Sequence, residues 1–488
     1  MSLAHKAARG ALWTVLSSMG GRAVGVLGTL VMTRFLAPDT IGEVADATIL
    51  VMTANWLTIW GFGQYSVVKG RGDATAEVRW HATLFYVVLG ILSLGTFALV
   101  GGHIVPAFGA PDAARYVPGM ALAIFIRRLG AMPERVLTQQ MNFRASGLSL
   151  ALGELAYTIA ALILAVLGHG GMSIVYANII QSIVVVLILF KAAGFRSWAT
   201  PTRLSWARVK DMLAFGVPLG IQGIAHQASR YWDKLTISHY FGTSAVGTFN
   251  MAYNLADIPA IQVGEQIALV LMPSMAELPR ERRPRALERS SALLSLIIFP
   301  LAVGLGLVAY PLIALILPNN AWQDVAPLLA VLTCLSVFRP ITWVLSAYLE
   351  AESKTNRLMI LEVLKVGLLI LGIAALHPFG LRVASFAVGI AFGFTALLGI
   401  AVVVREGVSW RALASGFIRP LAACGVMAAA VLGVDRGLDA LGAHAAVELI
   451  VEIVVGGIAY VIAAFAFARE TAIDLLQLVR KALRRKST

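Results

Sequence analysis

The feature that most constrains this chain is a succession of apolar stretches, each close to the roughly 20 residues a helix needs to cross a bilayer's hydrocarbon layer. From the N-terminus they fall near residues 10–35, 41–63, 80–102, 116–137, 147–168, 171–193 and 211–240, then 243–274, 290–316, 323–349, 357–376, 380–404, 411–434 and 445–468. So many long stretches cannot all hide in one water-surrounded core. In lipid each backbone N–H and C=O must find its partner within the protein, which selects helices for segments of this length. The expected fold is therefore an all-α polytopic membrane protein with about 14 transmembrane helices. Composition agrees: only 13% of the 488 residues are charged, against roughly 25% in soluble domains.

The formal charge of +13 matters through its placement, and it does not call for a nucleic-acid partner. With the N-terminus in the cytoplasm, the even connections and both tails should be basic. Most of the 39 Lys and Arg lie there, among them Lys69, Arg71, Arg79, Lys191, Arg196, Arg203, Arg208, Lys210, Arg280, Arg282, Arg283 and Arg285. The odd connections hold only Arg34, Arg115, Arg382 and Arg436. A miscounted helix would reverse this bias downstream of the error, so the audit favours both termini inside. Lys6 and Arg9 precede an apolar stretch longer than a signal-peptide core of roughly 7 to 15 residues, which reads as a retained first helix. Cys334 and Cys424 stand in apolar runs without ligand spacing, so no disulfide framework and no metal site is expected.

An internal repeat organises the chain. Residues 33–50 and 238–255 align without gaps at an offset of 205, matching Gly42 with Gly247, Ala47 with Ala252 and Leu50 with Leu255. Both copies bridge the first two helices of a six-helix unit, and an even number gives both units one orientation. The expected domains are a cytoplasmic N-terminus (1–9), an N-lobe (10–195), a cytoplasmic linker (196–210), a C-lobe (211–404), two extra helices (411–468) and a basic amphipathic tail (469–488). The two parallel six-helix lobes would enclose a central cavity. In the tail, Ala472, Leu475, Leu476, Val479 and Leu483 alternate at helical spacing with Arg480, Lys481, Arg484 and Arg485, a pattern suited to the lipid surface.

Charges inside spans are costly and normally face a cavity or a partner. The bases so placed are Arg22, Arg127, Arg128, Arg230, Lys234, Arg339, Lys365 and Arg419. Spread over several helices, they suit an anionic ligand such as a phosphate or pyrophosphate head group. The structural alternatives are intrahelical pairs, Arg230 with Asp233 and Glu362 with Lys365, and snorkelling of Arg339 and Arg419 near helix ends. Arg22, beside Gly20 and Gly21, has no acid within a helical turn. Among the acids, Asp257 stands between Asn254 and Pro259, where freed carbonyls could join it in holding a coupling ion; its alternative is to partner a cavity arginine. No G-x-S-x-G, phosphate loop or H-E-x-x-H is present, so no catalytic site and no cofactor is expected.

Several short motifs carry a resemblance. Gly10-Ala-Leu-Trp13, Thr33 to Gly42 and Gly61-Phe-Gly63, then Phe215-Gly-Val-Pro-Leu219, Arg230, Asp233, Gly247, Ala252 to Leu255, Pro259 and Met272-Pro273 resemble bacterial polysaccharide transporters of the Wzx type, in the multidrug/oligosaccharidyl-lipid/polysaccharide (MOP) superfamily. The likeness spans about residues 10–404. It implies a flippase of the bacterial inner membrane that alternates between inward and outward openings. Its substrate would be an undecaprenyl-pyrophosphate-linked oligosaccharide, with membrane lipids, a polysaccharide polymerase and export machinery as partners. By that resemblance Arg22, Arg127, Arg128, Arg230 and Lys234 would hold the pyrophosphate; the residues themselves leave Asp257 and Asp233 as coupling-ion ligands or cavity partners. A MATE-like exporter of organic cations is the alternative; it would be expected to need a cavity dominated by acids or aromatics. A membrane polymerase or ligase is a third reading, disfavoured by the short outer connections.

Overall fold

A computed structural model describes residues 25, 27–69, 75–140, 142–260, 278–317, 320–352, 354–440 and 444–484. Among these the chain is helical throughout, with no strand. It folds as two compact units, one through Gly247 and one from Thr248.

Among the described residues eight helices are long and apolar enough to cross a membrane, and a ninth span results if two helices bent by 41°, Asn320–Leu332 and Cys334–Ala351, count as one. The exterior supports a lipid surround. Leu99 is 82% exposed, Leu371 70% and Ile462 65%, and they belong to helices whose outward faces are apolar over several turns. Such faces in water would be aggregation sites. The chain is a multi-pass membrane protein.

In the first unit, Pro38–Trp56 begins with proline at its first turn, where the missing N–H costs nothing. Three acids, Asp39, Glu43 and Asp46, keep it from reading as a purely apolar span. The expected third span is longer than its apolar core, running from Thr75 to Phe108 through a π-helical turn at Ile91–Gly95. The expected fourth span is broken: Val117–Leu129 and Ala131–Gln139 meet at Gly130, where a Cβ would lie 3.0 Å from Leu189. The helices Phe143–Val166 and Met172–Ala193 form a hairpin turned by Gly168 and Gly170, both at positive φ. The unit's longest helix, Trp206–Phe241, then runs back along Pro38–Trp56.

The second unit is built around Arg283–Leu307, which packs against Cys334–Ala351, Trp410–Ala440 and Ala445–Phe467 over Leu294, Phe299, Val344, Met427 and Tyr460. The Tyr460 hydroxyl donates to the Leu296 carbonyl at 2.7 Å, giving a buried polar tip a partner inside the apolar core. The helix Arg469–Arg484 begins on this core through Ala472 and Leu475 and is tied to it by Arg289 and Asp474 (2.5 Å).

Candidate functional site

The first unit collects buried cations around the end of Pro38–Trp56. Arg128, only 4% exposed, lies near the end of Val117–Leu129, where its chain passes Gly90 so closely that a Cβ there would sit 3.0 Å from Arg128 Cδ. Its Nε donates to the Tyr86 carbonyl (2.7 Å). Nη1 donates to Asn55 Oδ1 and Thr58 Oγ1, both at 2.8 Å, and Nη2 donates to the Thr58 carbonyl (3.1 Å). The Tyr86 ring beneath it is itself fixed, its hydroxyl accepting from the Gly63 N–H at 2.9 Å. Every one of these acceptors is neutral. Among the described residues no carboxylate pairs with Arg128, so the fold holds a guanidinium geometrically satisfied but electrically uncompensated.

A second buried cation belongs to the long helix. Lys234 is 3% and Asp233 1% exposed; Nζ lies 3.6 Å from Asp233 Oδ1, 3.2 Å from the Arg230 carbonyl and 5.5 Å from the Tyr231 ring centre. The Tyr231 ring packs against Trp56 at a tilt of 39° with ring centres 5.3 Å apart, and Trp232 donates to Thr53 Oγ1 at 3.2 Å. Thus Trp56, between the Arg128 ligands Asn55 and Thr58, also links through Tyr231 to Lys234. Arg230 is half-buried and Arg127 exposed, and among the described residues neither forms an ion pair. The intrahelical pairing expected of Arg230 and Asp233 is not what forms: Asp233 is held by its neighbour Lys234 instead. Arg127 and Arg128, adjacent in sequence, point to different surroundings because consecutive helical residues differ by about 100°. Arg22 lies outside the described residues.

Asp257 sits in the second unit, 2% exposed. Its carboxylate receives Arg339, which also donates to the Tyr253 hydroxyl. Arg339 is mid-helix and buried, so the expected snorkelling does not occur there; Arg419 is exposed. The backbone beside Pro259 is also engaged internally: Ser336 Oγ accepts from the Ala260 N–H (3.3 Å) and donates to the Ala256 carbonyl (2.5 Å), inserting a hydroxyl into the helix ladder. The Phe392 ring lies 5.3 Å from the Arg339 guanidinium and 4.9 Å from Lys365 Nζ, and Lys365 pairs with Glu362 at 2.8 Å, the expected i,i+3 contact.

Three parts of this arrangement escaped sequence reading. Asn55, Thr58 and Tyr86 are ordinary residues whose role exists only once three helices converge on Arg128. Phe392 as a cation platform is equally tertiary. Asp46 was legible as an acid within an expected span, and the acids singled out did not include it.

Comparison with known proteins bears on the whole chain. Residues 31–327 match the family described as polysaccharide biosynthesis protein. The succinoglycan biosynthesis transport protein ExoT of Rhizobium meliloti (strain 1021) is 26% identical over 323 residues, 66% of this chain and 64% of that one. The lipopolysaccharide biosynthesis protein WzxC of Escherichia coli (strain K12) is 23% identical over 398 residues, 81% and 79% of the two chains. Among solved structures, the lipid II flippase MurJ in an inward closed conformation aligns with a TM-score of 0.75 at 13% identity, covering 94% of this chain and 99% of that one. An inward-facing MATE family transporter of the MOP superfamily aligns at 0.59 and 17% identity, covering 85% and 96%. The chain belongs to the polysaccharide biosynthesis protein family and is of the Wzx type that its motifs resemble.

Proposed function

We propose that this protein is a flippase that carries an undecaprenyl-pyrophosphate-linked oligosaccharide across the bacterial inner membrane by alternating access, for surface or exopolysaccharide synthesis. The reading takes the chain as 14 spans with both termini cytoplasmic. Residues 10–195 and 211–404 act as the two lobes, and the helices of residues 411–468 flank them. A polysaccharide polymerase and export machinery would take up the product.

One observation carries it: Arg128 keeps its charge in an apolar span without a carboxylate among the described residues. Such a charge costs several kcal/mol on insertion scales, and an anionic substrate would offset that cost during the transport cycle. Four of its five N–H groups are committed to the protein, one on Nε, two on Nη1 and one on Nη2, so it acts mainly through its field. Arg127, Arg230 and Arg22 are the residues proposed to touch the pyrophosphate. Lys234 contributes with Asp233 as its balancing acid, and Asp257 serves as partner to Arg339. The names of the relatives, a succinoglycan transport protein and a lipid II flippase, support the same substrate class.

The test is transbilayer movement of a pyrophosphate-linked polyprenyl oligosaccharide in proteoliposomes, with an organic cation dye in parallel. Movement of the lipid and not the dye is expected, with at least a tenfold loss in an Arg22→Ala, Arg128→Ala double variant at equal reconstitution. Dye efflux without lipid movement would establish the exporter instead.

A further inference from the structure

The two copies of the repeat meet, and they meet symmetrically. A Cβ on Gly42 would lie 1.8 Å from the Thr243 carbonyl oxygen, and one on Gly247 1.9 Å from the Pro38 carbonyl oxygen. Residues 38 and 243, like 42 and 247, differ by the repeat offset of 205, so each close approach is the other's repeat counterpart. One turn beyond Gly42 the symmetry fails. Asp46 is fully buried; its Oδ2 accepts the hydroxyl of Ser238, also fully buried, at 2.5 Å, while Oδ1 has no hydrogen-bond partner among the described residues. The counterparts of Asp46 and Ser238 at the same offset are Met251 and Thr33, so the polar pair exists once.

We propose that Asp46 is a proton-binding site that latches this contact, its carboxyl neutral while the two copies are together. Ionised, it would leave a charge shut off from bulk solvent with one hydroxyl to answer it; protonated, it fits as it stands. The charged groups on the elements packed around it are engaged elsewhere or exposed, apart from half-buried Arg230, and among the described residues none pairs with it. Glu43 is held by Arg115 (2.7 Å) and approached by the Tyr116 hydroxyl (3.4 Å). Asp233 is held by Lys234, and Arg128 by Asn55, Thr58 and Tyr86. His239 contacts the Ala107 carbonyl (3.3 Å), and Asp39, His103, Asp112 and Arg127 are exposed. A hard metal ion would need about six oxygen ligands, and one carboxyl with one hydroxyl falls well short. Loss of the proton to water leaves a carboxylate that must gain solvent, and solvent reaches it only as the glycine contact separates.

The test places spin labels at Asp39→Cys and Ser244→Cys, exposed positions that are themselves repeat counterparts, with Cys334 and Cys424 replaced by alanine. Pulsed electron resonance then reads the distance distribution from mildly acidic to mildly alkaline pH. The short-distance population is expected to dominate in acid and to fall severalfold in alkali. Asp46→Asn should hold it high at every pH. Asp46→Met, which copies the residue of the second repeat, should also abolish the pH dependence and serves where the amide variant does not fold. A wild-type distribution that ignores pH, or a pH dependence surviving in both variants, overturns the proposal. The measurement uses no glycolipid, so its failure and that of the flippase reading are distinguishable.

Discussion

At the scale of single residues, the glycines at the repeat contact carry the most exact requirement. An ordinary contact to a Cβ is 3.4 to 4 Å, and here the facing atom is a backbone oxygen at 1.8 or 1.9 Å, which no rotamer change can move. Alanine at either position must therefore push the two helix starts apart by more than an ångström. Gly42→Ala and Gly247→Ala are each expected to lengthen the label distance described above at every pH. The double variant should add little to either single one, because both open the same contact. Distances in the two alanine variants that match wild type would show that the contact is not formed in the membrane. Arg128 makes a different residue-scale point. Its hydrogen bonds are complete, yet hydrogen-bond completeness is not charge balance, and the two have to be counted separately in a low-dielectric span.

At the scale of elements, connections outside the spans are clamped by ion pairs. Glu406, between the helices Leu381–Val404 and Trp410–Ala440, receives both Lys354 and Arg357 from the start of the helix Thr355–Leu376. Its carboxyl is held below the ordinary carboxylate value of 4.5, first by the Lys354 ammonium and then by Arg357. A depressed folded-state value means the clamp contributes fully above about 4.5 and is lost as pH falls through the lower folded value. The pairs are partly exposed, so each is worth no more than about 1 kcal/mol. Glu406→Gln should lower the unfolding temperature slightly at neutral pH, with the difference from wild type closing in acid. A difference that persists below the folded value would assign the effect to packing. The same scale explains the hydroxyl found where the helix Thr243–Pro259 ends. Proline removes one N–H from the ladder, and Ser336 from a neighbouring helix supplies a hydroxyl that spans the next opening.

At the scale of the whole molecule, orientation follows from where the basic residues lie. The positive-inside bias predicts that a reporter active only outside the cytoplasm works when inserted beside Arg115 or Arg436 and fails beside Arg283, Arg405 or at the C-terminus. Activity beside Arg283 would mean that a span before it has been miscounted. Among the described residues eight to nine helices are long and apolar enough to cross a membrane, while more are expected. Pro38–Trp56 and Trp206–Phe241 show one reason: Glu43 and Asp46 on the first and Asp233 and Lys234 on the second are buried against protein. A helix that turns charge toward neighbouring helices loses hydropathy without losing the ability to span.

The sequence by itself determined the solvent, the helical class and the 205-residue repeat, because each is written in local apolar length or in periodicity along the chain. It also named the cations that stand inside apolar stretches. Which of them would be neutralised was decided by the tertiary structure alone. Arg230 and Asp233 share a helix face three residues apart, yet Asp233 went to Lys234; Arg339 looked able to snorkel, yet a helix 82 residues away in sequence brought it Asp257. Asp46 and Ser238, 192 residues apart, became neighbours only through the glycine contact. Partner choice for a buried charge is settled by distances of a few ångströms between segments remote in sequence, and the Coulomb and desolvation energies that depend on those distances have no local signature to read.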